Sequence, residues 1–171
     1  MHLNIDLLAK TKNIYKWERE SIKYLDKISE GDKNYLITKE SKFIVYHKVS
    51  NSLKYFRRSV KSVSKEDKII NYNIAIESLL LDNEGKKREK IIERARKSIK
   101  YFRNKENHIK NLNNIVSQRN HIVHNAKMND KGFDMILAYR LYCKIVSFIA
   151  KNIEDIEYDK PKKMELFYKK Y

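Results

Sequence analysis

Apolar residues recur at steps of three and four along most of the chain. Between residues 11 and 30 they include Ile14, Trp17, Leu25 and Ile28, a spacing that predicts an amphipathic helix. Gly31 then fits a helix C-terminal cap. A second stripe is predicted over residues 34–63, with these apolar members: Tyr46, Val49, Leu53, Phe56, Val60 and Val63.

Helical spacing continues to residue 149. Ser64 is predicted as an N-cap with Asp67 acidic in the first turn, starting a helix that runs to a polar loop at 82–85. Further helices are expected over 86–105, 109–123 and 133–149. The segment 152–171 is charged and weakly patterned, and is either a short docked helix or loose.

Glycine and proline are rare in this chain. Three glycines and one proline in 171 residues cannot supply the turns of a multi-stranded sheet, whereas long helices need few of them. We therefore predict one domain over residues 1–171, all-α, built as an antiparallel (up-and-down) helical bundle.

The chain is strongly basic, with 38 Lys and Arg against 22 Asp and Glu and a formal net charge of +16. Such a charge favours a polyanionic partner such as RNA, DNA or anionic lipid; a compositional bias with solvated lysines is the alternative. Residues 86–105 are the most basic segment, and we expect a cationic helix face there. Its predicted RNA-binding residues are Lys86, Lys87, Arg88, Lys90, Arg94, Lys97 and Arg103. A merely solvated surface or a membrane-surface helix are the rival interpretations.

Cys143 is the single cysteine, which excludes an intramolecular disulfide, and its apolar neighbours indicate a small buried hydrophobe. The N-terminal residues show no basic region followed by an apolar run, and no window is apolar enough to span a bilayer. The expected location is cytoplasmic, without a membrane.

The residues richest in chemistry lie at 118–125, which read Gln-Arg-Asn-His-Ile-Val-His-Asn. On a helix Asn120 and His124 share one face, about 6 Å apart along the axis. The long side chain of Arg119 can fold over the same surface. Ile122 and Val123 are expected to anchor the opposite side in the core.

This segment suits metal-free cleavage of RNA. The chain has no glycine-rich phosphate loop and no cysteine pair for zinc, and His121 with His124 lacks a third metal ligand. No metal or cofactor is therefore expected. RNA carries its own nucleophile, so His124 could move the proton, Arg119 could stabilise charge on the phosphate and Asn120 could orient. In the alternative interpretation, Arg119 and His124 satisfy buried groups.

The run 119–124 resembles the signature of the HEPN superfamily: an arginine, a polar residue and, after a short gap, a histidine. The segment 75–81, the loop with Glu84 and Gly85, and a following helix with Arg94 are similar to the Apea-like branch. The resemblance covers residues 43–150 as a HEPN-like bundle, with 1–40 as an additional N-terminal helical region and 152–171 as a charged tail. Asn125 stands where many relatives have glycine.

The resemblance implies a metal-independent endoribonuclease that acts as a homodimer, with the two motifs facing across the interface. Arg119, Asn120 and His124 carry over as catalytic residues, Glu77 as a supporting residue, and His121 at a variable position. The expected setting is defence or toxin–antitoxin, with an antitoxin or regulatory protein as a further partner.

Two other functions fit the sequence. One is a non-catalytic HEPN-like module that binds RNA, a nucleotide or a partner protein such as a nucleotidyltransferase. The other is a helical scaffold whose basic surface binds nucleic acid without specificity.

Overall fold

The computed structural model describes residues 26–82, 86–125, 128, 132–156, 160 and 162–171. Within these ranges there are helices and no strand, so the predicted all-α helical bundle is confirmed. Helix α1 is described over residues 26–38. The other helices are α2 (Ile44–Lys61), α3 (Lys65–Leu80), α4 (Lys87–Ser98), α5 (Lys105–Asn125), α6 (Met135–Lys151) and α7 (Lys163–Lys169).

Helix α1 does not end at Gly31, so the predicted cap is wrong. Gly31 lies inside the helix and faces α2, where a Cβ atom in its place would lie 2.3 Å from Cγ of Tyr46. Ile28, one turn earlier, is buried. The glycine therefore allows α1 to pack closely on α2. Most of the helix predicted over 11–30 lies outside the described residues.

The helix is interrupted between α1 and α2, so the single continuous stripe predicted over residues 34–63 is wrong. Thr38 Oγ1 donates to the carbonyl of Asn34 (2.8 Å) and accepts from the backbone N–H of Glu40 (3.2 Å), while Lys39 adopts a positive φ of 58°. The threonine hydroxyl thus accepts from the backbone N–H of Glu40, which a continuing helix would direct at the carbonyl four residues earlier. A short 3-10 turn, Ser41–Phe43, leads into α2.

The prediction for the start of α3 is confirmed. Ser64 accepts a hydrogen bond from the backbone N–H of Asp67 at 3.0 Å, and Asp67 lies in the first turn. Helices α2, α3 and α6 then meet in the core. Ser52 on α2 donates to the carbonyl of Ala75 (2.7 Å) and lies 2.7 Å from the hydroxyl of Tyr142, so the tyrosine is the donor in that bond.

The segment 152–171 includes a docked helix rather than a loose tail. On α7, Met164, Phe167 and Tyr168 are all buried. The Tyr168 hydroxyl lies 2.7 Å from Ser98 Oγ, at the end of α4. The carboxylate of Asp82 accepts from the backbone N–H groups of Met164 (2.8 Å) and Glu165 (3.3 Å), so it caps α7 from outside the helix.

Candidate functional site

The Gln118–Asn125 motif forms the last two turns of α5, as predicted. The preceding turns are fixed in the core by the buried residues Ile109, Leu112 and Ile115. Polar contacts add to this: Asn111 and Asp134 exchange two hydrogen bonds of 2.7 Å, joining α5 to the start of α6. These contacts therefore fix the position and the rotation of the helix that carries the motif.

Contacts between the helices give the direction in which the motif points. Helix α6 is antiparallel to α5, since His108 contacts the carbonyl of Leu137 and Asn111 contacts Asp134. It is also antiparallel to α2, since Tyr139 reaches Ser59 and Tyr142 reaches Ser52. The C-terminal turns of α5 and α2 therefore run toward the same end of the bundle, which we call the motif end.

The motif side chains differ in exposure. Gln118 is buried, Arg119 and His121 are half-buried, and Asn120 and His124 are exposed. The exposure of His124 contradicts the alternative in which this histidine satisfies a buried group. The imidazole of His124 is therefore accessible to solvent.

The predicted anchoring of the motif is wrong in one respect. Val123 is 55% exposed, and Ile122 is only partly buried against the core. The buried anchors are instead Ile115, Val116 and Gln118, at the start of the motif and before it. The side chain of Asn125 lies outside the described residues.

Glu77 lies away from the motif histidine. Its carboxylate is 3.8 Å from Lys87 Nζ, and the neighbouring Arg88 donates to Asn113 Oδ1 at 2.9 Å. Asn113 precedes Arg119 by six residues, or about 9 Å of helix axis. The structure thus places Arg119, Asn120 and His124 on the last two turns of α5 and leaves Glu77 beside α4.

Several basic side chains of α4 bind groups within the protein, which the sequence of this helix does not indicate. Arg94 is buried and donates to the carbonyl of Leu80 at 2.7 Å, so the prediction that it binds RNA is wrong. Lys97 donates to the carbonyl of Tyr168 (2.7 Å) and pairs with Glu93 (3.2 Å). The predicted residues that are exposed are Lys86, Lys87, Arg88 and Arg103, with Lys90 half-buried.

A second basic surface lies on α2, outside the segment 86–105 that the sequence indicates. An open groove of about 440 Å³ runs between the C-terminal half of α2 and the start of α3. Its lining residues are Lys54, Arg57, Arg58, Lys61, Ser62, Asp67 and Asn71. The signal that could have revealed it is the absence of any acidic residue between 41 and 65.

The lone cysteine is not placed for chemistry. Cys143 is partly buried against the core, and burial raises the pKa of its thiol to about 12. Because the thiolate is the reactive form, this side chain is a poor nucleophile near neutral pH.

In the described ranges, His, Cys, Asp and Glu side chains form no group of three that could hold a metal ion. None of the helices in this part of the chain is long and apolar enough to cross a membrane.

Comparison of the chain with protein-family models, with curated proteins and with solved structures found no match. The likeness to the HEPN superfamily is thus carried by the motif 119–124 and its sequence context alone.

Proposed function

We propose that this protein is a metal-independent endoribonuclease of the HEPN type, which cleaves single-stranded or loop RNA in the cytoplasm as a homodimer. The observation that carries the proposal is the position of Arg119, Asn120 and His124. They lie on the last two turns of a helix fixed in the core, and the imidazole is exposed.

The chemistry needs only these side chains and the substrate. The ribose 2′-oxygen attacks the adjacent phosphorus while the bond from phosphorus to the 5′-oxygen breaks. A histidine takes the proton from the 2′-hydroxyl or gives one to the leaving 5′-oxygen. The guanidinium of Arg119 stabilises the charge on the phosphate oxygens, and Asn120 orients the phosphate or the imidazole. The products are a 2′,3′-cyclic phosphate and a 5′-hydroxyl.

A second copy of the chain would complete the site. The reaction uses one proton acceptor and one proton donor, and each motif supplies one exposed histidine, His124. The exposed Val123 supports this arrangement, since it gives the motif surface an apolar residue suited to a protein contact. A monomer that cleaves at full rate in a sedimentation experiment would contradict the shared site.

Control of such an activity falls to other molecules. A ribonuclease that is always active would damage its own cell, so we propose an antitoxin or regulatory protein as a partner, in a toxin–antitoxin or defence setting. The motif end, where His124 is exposed, is the surface that such a partner would cover.

The test is cleavage of a labelled RNA pool in the presence of EDTA. His124→Ala and Arg119→Ala are each expected to lower the rate at least about 100-fold, the usual size of a general acid–base or charge-stabilising contribution. Arg140→Ala, which removes an exposed arginine from α6, is the matched control and should keep the wild-type rate.

Circular dichroism would establish that each variant is folded. Cleavage that survives both motif substitutions would refute the proposal. Three inert proteins that still bind RNA, a nucleotide or a partner protein would favour the non-catalytic module.

A further inference from the structure

The groove between α2 and α3 joins several basic side chains into one surface. Lys54, Arg57, Arg58 and Lys61 are spaced by three and four residues, so they lie along one side of α2 over about 10 Å of helix axis. Asp67 is the one carboxylate that lines the groove. Four cations therefore face one anion there.

Side chains of like charge are close neighbours along this side of α2. Lys54 with Arg58 and Arg57 with Lys61 are like-charge pairs at a spacing of four residues, and such pairs repel on a helix surface. The helix itself carries no acidic residue that could offset them. A bound polyanion would remove this repulsion, and the extent of the groove suits a run of phosphates better than a single phosphate.

Uncharged polar groups lie between the cations. Ser62 Oγ donates to the carbonyl of Arg58 at 2.8 Å, and the amide of Asn71 donates to the carbonyl of Asp67 at 2.9 Å. These two bonds lie within the ends of α2 and α3, and a longer contact of 3.5 Å from Asn71 Nδ2 to Ser62 Oγ joins the two helices across the turn. The long basic side chains along the edge of the groove can adapt to a ligand.

We propose that this groove binds the phosphodiester backbone of the RNA substrate, in place of the α4 face indicated by the sequence. The inference rests on the proposed ribonuclease function and adds the substrate-binding surface to it. On α4 the buried Arg94, the paired Lys97 and the Arg96–Glu106 ion pair reduce the charge available to a ligand. On α2 the four cations share a groove with a single carboxylate.

The groove and the motif lie at the same end of the bundle but on different sides of α3. Asn71 lines the groove, whereas Asn73 contacts the carbonyl of Ile115 on α5. Two residues of helix separate their directions by about 200°. An RNA strand that occupies both would pass over the turn between α2 and α3 at the motif end.

The test measures binding of a labelled 20-nucleotide single-stranded RNA in the His124→Ala background, where the proposed cleavage is blocked. The double variant Arg58→Glu/Lys61→Glu is expected to raise the dissociation constant at least tenfold. It should also reduce the slope of log affinity against log salt by roughly 1.4, since each lost phosphate contact lowers it by about 0.7.

Two further double variants have the same change in net charge. Arg140→Glu/Lys151→Glu, on the exposed surface of α6, should change the dissociation constant less than about threefold. Lys86→Glu/Arg103→Glu, two exposed residues that flank α4, tests the basic segment 86–105. Equal losses for all three pairs, or a larger loss for the α4 pair, would overturn the groove as the binding surface.

The outcome for the groove is separable from the outcome for catalysis. A groove-dependent loss of RNA binding supports the groove even if the wild type cuts no RNA in the EDTA assay. Conversely, cleavage that depends on His124 with RNA binding unaffected by the groove pair would leave the ribonuclease standing and refute the groove. Vesicles of anionic lipid that bind through the groove more tightly than the RNA does would also refute it.

Discussion

Gly31 shows how one residue sets the distance between two helices. It lies in the middle of α1, where glycine is normally unfavourable by about 1 kcal/mol relative to alanine. Its lack of a side chain allows the ring of Tyr46 on α2 to approach. The local spacing favours a helix cap at this glycine, because a contact with another helix leaves no trace in the neighbouring sequence.

Gly31→Ala is therefore expected to destabilise the protein although alanine favours helix. The new Cβ would overlap Cγ and Cβ of Tyr46, and we expect a net loss of about 1–2 kcal/mol, as for other overpacked contacts. Urea unfolding measures it. Gly132→Ala is the matched control, because a Cβ there has no neighbour within 4 Å and should change the stability by less than about 0.5 kcal/mol. Equal stability of the two variants would contradict the close contact.

The pKa of His108 makes the stability of the fold depend on pH. It is buried on α5, and burial lowers its pKa below 6.5, although the hydrogen bond to the carbonyl of Leu137 acts in the opposite direction. Because the unfolded chain then binds the proton more readily, this residue makes the protein less stable as pH falls through 6.5.

His108→Asn is expected to weaken that dependence. The amide nitrogen of asparagine can take the place of the ring Nδ1 and donate to Leu137, but it does not titrate. The fall in melting temperature between pH 7.5 and pH 5.5 should therefore be smaller in the variant than in the wild type. An identical fall in melting temperature in both proteins would refute the contribution of His108 to the pH dependence of stability.

At the scale of elements, α7 is held by a residue distant in sequence. Asp82 contacts Lys48 on α2 at 3.0 Å and accepts from two backbone N–H groups of α7. Burial lowers the pKa of Lys48, and the carboxylate of Asp82 opposes that shift. One side chain thus joins α2 to the C-terminal helix.

Asp82→Asn should release α7 from this anchor. The amide cannot accept all three hydrogen bonds, and we expect a loss of about 2–3 kcal/mol, typical of hydrogen bonds to a charged group. Hydrogen exchange of the α7 amides should become faster than that of the α2 and α3 amides. The exposed Asp26→Asn is the control. Unchanged exchange in α7 would contradict the cap.

The helices differ in how far the neighbouring sequence predicts them. The N-cap at Ser64 and the last amphipathic helix were predicted, because caps and apolar stripes are local signals. The break at Lys39 has no such signal in the apolar pattern, since it depends on the hydrogen bonds of the Thr38 hydroxyl. The docking of α7 does not follow from its own residues, because its anchor, Asp82, lies 82 residues before Met164.

At the scale of the whole molecule, fold class and charge were accessible from sequence, whereas the distribution of that charge was not. Few glycines and prolines indicated helices, and +16 indicated a polyanion. The density of basic residues pointed to α4, but Arg94 is buried there and α2 provides the basic groove. Packing decides which cationic side chains face solvent, and a count of basic residues along the sequence carries no information about packing.

The motif has some features that the sequence predicts and others that it does not. Its place on a helix and the shared face of Asn120 and His124 follow from spacing alone. The exposure of Val123 does not, because it depends on where the neighbouring helices end. The catalytic roles of Arg119, Asn120 and His124 stay predictions that rest on the resemblance and on this geometry.

The most direct test of the central claim is cleavage, with EDTA present, of an RNA whose 2′-hydroxyl at the main cleavage position is replaced by hydrogen. Attack by the 2′-oxygen predicts that the normal RNA is cut to a 2′,3′-cyclic phosphate and a 5′-hydroxyl. It also predicts that the substituted RNA stays intact at that position. Cleavage of the substituted RNA there, or products with a 5′-phosphate, would contradict the account.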